Sequence, residues 1–164
     1  KFRPISLNRT QNSHVLQIRN DVPAKNAALM WICFGVPTFT PYVPFYTNAT
    51  DTDPSWSQTP LDYDITSAYW MYRTLSMLTE SHYTQFIQKN RDYLIQTREV
   101  LHRLLSEVDN GVADLNGEEA TTYLTKQNYQ IMAKMRELTM KAIADCITGG
   151  LELSKLTFDM DKNL

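Results

Sequence analysis

Ala27-Ala28-Leu29-Met30-Trp31-Ile32-Cys33-Phe34 is apolar at eight successive positions. A strand with one wet face alternates apolar and polar residues, so an unbroken run predicts a strand covered on both faces. Something must therefore pack on each side of it. Upstream, His14-Val15-Leu16-Gln17-Ile18-Arg19 reads as a short strand, and Asn20-Asp21-Val22-Pro23 then gives a turn signal. Downstream, the stretch 37–64 holds Pro37, Pro41, Pro44, Pro54 and Pro60. Proline cannot donate to a ladder, so this segment is expected to be extended, edge-like or wrapping.

Past residue 64 the period changes. Ala68, Met71, Tyr72, Leu75 and Leu78 recur at helical spacing, with Asp64 or Thr66 available as the cap. Phe86, Ile87, Leu94, Leu101, Leu104, Leu105 and Val108 mark a second helix, ending near Asn110-Gly111. Asn116-Gly117-Glu118-Glu119 opens a third in the manner of a capping box, with Asn in place of the usual Ser or Thr. Its buried stripe is Ala120, Leu124, Ile131, Met135, Leu138 and Ala142, and Gly149-Gly150 is expected to stop it. That helix would be on the order of 45–50 Å long, at about 1.5 Å per residue.

The expected class is α+β: a few N-terminal strands followed by three long helices. Residues 1–64 form the strand and wrapping segment, 65–150 the helical layer and 151–164 a tail. One or two strands do not complete a stable sheet. A doubly buried strand beside three long helices reads as one side of a layered structure whose remainder lies outside this chain.

Composition narrows the function. The 164 residues carry 16 Lys and Arg against 18 Asp and Glu, for a formal charge of −2. Bases are scattered among acids, which argues against nucleic acid as a partner. No apolar run approaches the roughly 18–20 residues that span a bilayer, and no signal peptide follows Lys1, so the chain reads as cytoplasmic and without a membrane partner. Cys33 and Cys146 lie in apolar contexts far apart in sequence, as reduced, buried thiols do. Burial would raise the Cys33 pKa and suppress the thiolate, so neither cysteine reads as a nucleophile.

His14, His82 and His102 include no pair at the short helical spacing of a zinc site, and no metal or cofactor is expected. Asp51, Asp53, Asp62 and Asp64 lack EF-hand spacing and suit turn and cap duty. Asn48-Ala49-Thr50 matches the glycosylation sequon, which has no weight without secretion. The polar stretch Phe2–His14 packs two arginines, amides, hydroxyls and a histidine just before a strand. Such groups either present fixed donors to a substrate or satisfy buried backbone.

Several segments carry a resemblance, in order. They are Arg3-Pro4-Ile5-Ser6-Leu7-Asn8-Arg9-Thr10-Gln11-Asn12-Ser13-His14-Val15, Cys33-Phe34-Gly35-Val36-Pro37, Thr40-Pro41-Tyr42-Val43-Pro44-Phe45-Tyr46, Ser67-Ala68-Tyr69-Trp70-Met71-Tyr72-Arg73 and the closing Leu153-Ser154-Lys155-Leu156-Thr157-Phe158. Together they resemble the C-terminal third of the bacterial C69-family dipeptidases, the dipeptidase A type of lactic acid bacteria. The resemblance implies an N-terminal-nucleophile hydrolase fold, two sheets stacked between helical layers. It also implies a dipeptide substrate and an amino-terminal cysteine whose α-amine is the base. With Lys1 at the start of this sequence, that nucleophile is expected to lie outside it.

Related N-terminal cysteine amidases keep an arginine near the nucleophile in a Ser-x-x-Arg-like turn, and Ser6-Leu7-Asn8-Arg9 is the counterpart here. The resemblance therefore gives Arg9 a supporting catalytic role and Asn8 a substrate contact. Taken alone, the chain is expected to be inactive. Its partners would be the missing N-terminal portion of the same domain and, through unpaired edges, other copies of itself. The competing readings are a non-catalytic helical interaction module and a fragment of a related amidase.

Overall fold

Val15, Leu16 and Ile18 pair with Trp31, Met30 and Ala28, so the apolar run finds its partner strand just upstream. In the computed structural model, which describes residues 7–154, strand β1 spans Asn12–Ile18 and β2 spans Ala28–Phe34. They are antiparallel, and the short helix α1 (Ala24–Ala27) sits in the connection. Ser6, the match at 155–158 and most of the 151–164 tail lie outside the described residues.

The proline-rich segment supplies a third strand, β3 (Val43–Tyr46), antiparallel to β2. The sheet order is β1-β2-β3, one strand more than the apolar pattern revealed. Pro44 is tolerated there because antiparallel hydrogen bonds alternate along a strand. Thr47 N–H donates to the Ala28 carbonyl at 3.2 Å, so Val43, Phe45 and Thr47 turn their backbone groups toward β2. Pro44 and Tyr46 therefore turn theirs outward, and the missing proline N–H costs no ladder bond. The outward groups of Tyr46 are met by one side chain: Asn128 accepts from Tyr46 N–H at 2.9 Å and donates to its carbonyl at 3.0 Å.

Helix α2 (Pro54–Ser57) follows, capped by Asp53, whose carboxylate accepts from Ser55 N–H at 2.8 Å. Asp64 accepts from both the amide and the hydroxyl of Thr66, and Asp51 accepts from Thr52 N–H and the Tyr129 hydroxyl. Turn and cap duty thus holds for Asp51, Asp53 and Asp64.

Three long helices complete the chain: α3 (Ala68–Ser81), α4 (Tyr83–Gly111) and α5 (Gly117–Leu153). Ala68, Met71, Tyr72 and Leu75 are buried on α3; Phe86, Leu101 and Val108 on α4; Ala120, Leu124, Ile131, Met135 and Leu138 on α5. These are the positions the 3.6-residue period selects.

Details at the helix ends differ from expectation. Ser67, not Asp64 or Thr66, holds the α3 N-cap position, and Asn116 caps α5 without a side-chain hydrogen bond, so no capping box forms. The glycine pair at 149–150 does not stop α5 either. A Cβ on Gly149 would stand 2.9 Å from Cε1 of the buried Phe86 ring, so this glycine lets α4 and α5 approach closely inside a continuing helix. Thirty-seven residues give α5 a length of about 55 Å.

An ion pair joins the two halves. Arg19, just past β1, donates to both Asp109 carboxylate oxygens at 2.6 and 3.0 Å; Asn26 and the Tyr46 hydroxyl donate to the same carboxylate. Lys25 donates to the carbonyls of Ala113 and Leu115 just beyond α4.

Candidate functional site

The sheet has two unlike faces. Directly opposed residues of antiparallel strands point the same way, so Leu29, Cys33 and Tyr46 lie on one face and Met30, Ile32 and Phe34 on the other. The helices cover the first, where Leu29 and Cys33 are 1% and 0% exposed. On the second, Met30, Ile32 and Phe34 stay half-buried and their β1 neighbours Leu16 and Ile18 are exposed. The expected cover on both faces of β2 is therefore present on only one, apart from the β3 margin where Trp56 packs on Phe45 and Phe34. Among the described residues no element lies across the rest.

The turn that carries the sequence-predicted residues leads into β1 at its Asn12 end. Thr10 N–H donates to the Leu7 carbonyl and closes a turn that presents Asn8 and Arg9, both exposed. Asn8 donates to the Glu80 carboxylate of α3 at 3.3 Å, which ties the turn to the helical layer. Among the described residues Arg9 makes no salt bridge. The next residues lead straight into β1: the Gln11 carbonyl accepts from Gly35 N–H at 2.8 Å, and the Ser13 and Tyr42 hydroxyls share a hydrogen bond of 2.8 Å. Gly35 suits this junction because its φ of +81° lies where a side chain is strained.

Asn12 and His14 follow on the open face. With Ser13, Met30, Ile32 and Phe34 they line a shallow cleft of about 250 Å³. The polar stretch thus divides its work. Gln11 and Ser13 serve internal hydrogen bonds and Asn12 and His14 line the cleft, whereas Arg9 is exposed on the preceding turn, outside the cleft's lining. Glu80 was not legible as a neighbour of Asn8, since 72 positions separate them and nothing local marks the contact.

Both cysteines are free thiols and buried. Cys33 is buried on the helical face beside Thr40, 3.2 Å from its hydroxyl, and burial pushes its thiol above the ordinary range. Burial raises Cys146 as well. His82 sits at the break between α3 and α4 with its ring edge-on to Phe86, and His102 is exposed on α4. Among the described residues no three His, Cys, Asp or Glu side chains converge as metal ligands, and no helix is long and apolar enough to cross a membrane.

Residues 1–96 match the model of peptidase family C69, which is more than half of the chain. The chain belongs to peptidase family C69. Its relatives in the family include a probable dipeptidase of Latilactobacillus sakei, 44% identical over 99% of this chain and 34% of that relative. A probable dipeptidase B of Lactococcus lactis is 32% identical over 98% of this chain and 33% of its own length. Dipeptidase A of Lactobacillus helveticus is 31% identical over 97% of this chain and 33% of its own. The chain thus spans about a third of the length of the curated relatives it matches. The turn Leu7–Thr10 lies inside the matched region.

Proposed function

We propose that this chain is the C-terminal portion of a cysteine-type dipeptidase whose nucleophile is an amino-terminal cysteine outside residues 1–164. The observation that carries the reading is the one-sided sheet. An apolar face floored by Met30, Ile32 and Phe34 has a polar turn and a histidine at one end, in a chain that matches dipeptidases over only a third of their length. The open face would receive the second sheet, built from the rest of the domain. The cleft at its Asn12–His14 end would then lie between the two layers, with Arg9 at its mouth.

In that setting Arg9 has the chemistry of a supporting group. A guanidinium beside a thiol favours the thiolate, and its planar fork suits the carboxylate of a dipeptide. Asn8 is a positioning contact, held by Glu80, that fixes the turn carrying Arg9. Acyl transfer needs thiol and amine on one residue, so that the thiol proton passes to the amine as sulfur attacks the peptide carbonyl. Buried Cys33 and Cys146 do not meet that requirement.

The test is dipeptide hydrolysis by the parent protein. Arg9→Ala should lower kcat/KM at least about tenfold, roughly 1.4 kcal/mol of transition-state stabilisation, with no change in thermal midpoint. Near-normal turnover would remove Arg9 from the site. Residues 1–164 alone should hydrolyse no dipeptide, and Cys33→Ser or Cys146→Ser in the parent should leave turnover intact. Hydrolysis by the isolated chain would overturn the assignment of the nucleophile.

A further inference from the structure

Helix α5 carries a second apolar stripe that the fold does not use. Its buried face, from Leu124 and Asn128 through Met135 to Cys146, packs on the sheet margin and on α3 and α4. On the opposite side Met140, Ala144, Ile147 and Leu151 recur at i, i+4, i+7 and i+11, all exposed, with Met140, Ile147 and Leu151 at 37%, 48% and 44%. At 3.6 residues per turn the four fall within roughly 60° of arc, the narrow seam of a coiled-coil helix. Among the described residues nothing covers it.

We propose that this seam is a two-fold interface that takes a second copy of the chain, with α5 antiparallel to α5. The proposal goes beyond the dipeptidase reading and uses no residue of the candidate site. A two-fold interface must be complementary to itself, and the spacing of this stripe is a palindrome of four, three and four. Reversing one copy sets Met140 against Leu151 of the partner subunit and Ala144 against Ile147 of the partner subunit. Small therefore meets large twice at the centre, which lets the helices approach closely.

Charge selects the same orientation. Lys141 and Glu152 are exposed on one flank of the seam. An antiparallel pair presents like flank to like flank, so each Lys141 faces Glu152 of the partner subunit. A parallel pair would turn Lys141 toward the other flank, where Ile143 is buried and Arg136 is committed to the carbonyls of Ile65 and Thr66. The mixed charges of Glu137, Lys141 and Glu152 do not suit an anionic lipid surface, which selects a basic flank. Four residues a side make an interface smaller than the usual specific one, so the dimer is expected to be weak and to form only at high protein concentration.

The experiment reads the register. Met140→Cys and Leu151→Cys are made separately in the full chain and exposed to mild oxidant, alone and mixed. Buried Cys33 and Cys146 keep the background low. The mixture should give a disulfide-linked dimer of the two variants. Neither variant alone should, because like positions lie eleven residues apart along the axis, about 16 Å. By analytical ultracentrifugation Ile147→Glu should raise the dimer Kd at least about tenfold. Lys141→Glu should weaken the dimer, and adding Glu152→Lys should restore it. Cross-linking of each variant with itself, no cross-link in the mixture, or a dimer indifferent to Ile147→Glu would overturn the proposal. None of these results would bear on dipeptide hydrolysis, and association through the open sheet face would not reproduce the register.

Discussion

Asn128→Ala tests the idea that one side chain on α5 stands in for a fourth strand. Asn128 is 3% exposed and its amide closes both outward backbone groups of Tyr46, accepting at 2.9 Å and donating at 3.0 Å. Alanine leaves that N–H and that C=O without their partner. An unsatisfied buried polar group costs about 1–3 kcal/mol, so the two together predict a loss of roughly 2–5 kcal/mol. For a chain of this size that is a fall of roughly 4–20 °C in thermal midpoint, taking about 2–4 °C per kcal/mol. Urea titration followed by far-UV circular dichroism measures it directly. The control is Thr125→Ala, whose hydroxyl accepts from Thr50 N–H on the exposed surface one turn earlier and whose loss should stay within about 0.5 kcal/mol. Asn128→Asp separates the two bonds: it keeps the acceptor but sets a carboxylate oxygen against the Tyr46 carbonyl, so it should be at least as damaging at neutral pH and partly relieved in acid. An Asn128→Ala loss no larger than that of Thr125→Ala would refute the edge-sealing argument.

Two further outcomes follow from buried groups. Burial would lift the Asp109 carboxyl, but hydrogen bonds from Arg19, Asn26 and Tyr46 outweigh it and hold the carboxyl below its ordinary range. A depressed carboxyl stabilises the fold above its unfolded pKa, near 4, and loses that contribution as pH falls through the folded value. The stability gap between the natural chain and Asp109→Asn should therefore be full at pH 6 and close below about pH 4 in urea titrations; a gap independent of pH would contradict the ion pair. The adjacent glycines of α5 should respond with opposite sign. Gly150→Ala meets open space and should stabilise by up to about 1 kcal/mol, whereas Gly149→Ala drives a methyl into the Phe86 ring and should lose about 1 kcal/mol net of the same propensity gain. Equal effects at the two positions would show that the α4–α5 approach is looser than 2.9 Å implies.

What the sequence disclosed depended on whether the signal was local. The run at 27–34 and the helical stripes named β2, α3, α4 and α5, because burial writes its period directly into the residues. Strand β3 stayed hidden because Pro44 is a strand breaker by local chemistry, and only the alternation of antiparallel bonds makes it harmless at an edge. Gly149-Gly150 misled for a related reason: a glycine pair reads as a stop, while the Phe86 ring that requires one of them lies 63 positions away. At the candidate site, Arg9 and Asn8 were named by resemblance, not by spacing. They stand on an exposed turn, and the tie of Asn8 to Glu80 had no sequence signal at all.

The sheet's asymmetry constrains how the proposed dipeptidase can be assembled. Its β3 margin is closed twice, by Asn128 on the outward backbone of Tyr46 and by Trp56 over Phe45 and Phe34. Its β1 margin is closed by nothing among the described residues: Val15, Leu16 and Ile18 are 51%, 70% and 76% exposed, and the outward backbone of β1 has no strand beside it. An unpaired edge of seven residues, apolar at Val15, Leu16 and Ile18, is a template for strand addition. On the proposed reading, therefore, further strands join at β1, never at β3, and the second sheet settles over Met30, Ile32 and Phe34. Both additions converge on the end of β1 where Arg9, Asn12 and His14 stand. The placement makes physical sense, since a carboxylate-binding guanidinium does the most where strand ends and a closing apolar layer exclude water around it. Charging the edge by Leu16→Lys with Ile18→Lys should then abolish activity in the parent by blocking docking, while it renders residues 1–164 more soluble by themselves. Full activity in that double variant would place the second sheet elsewhere.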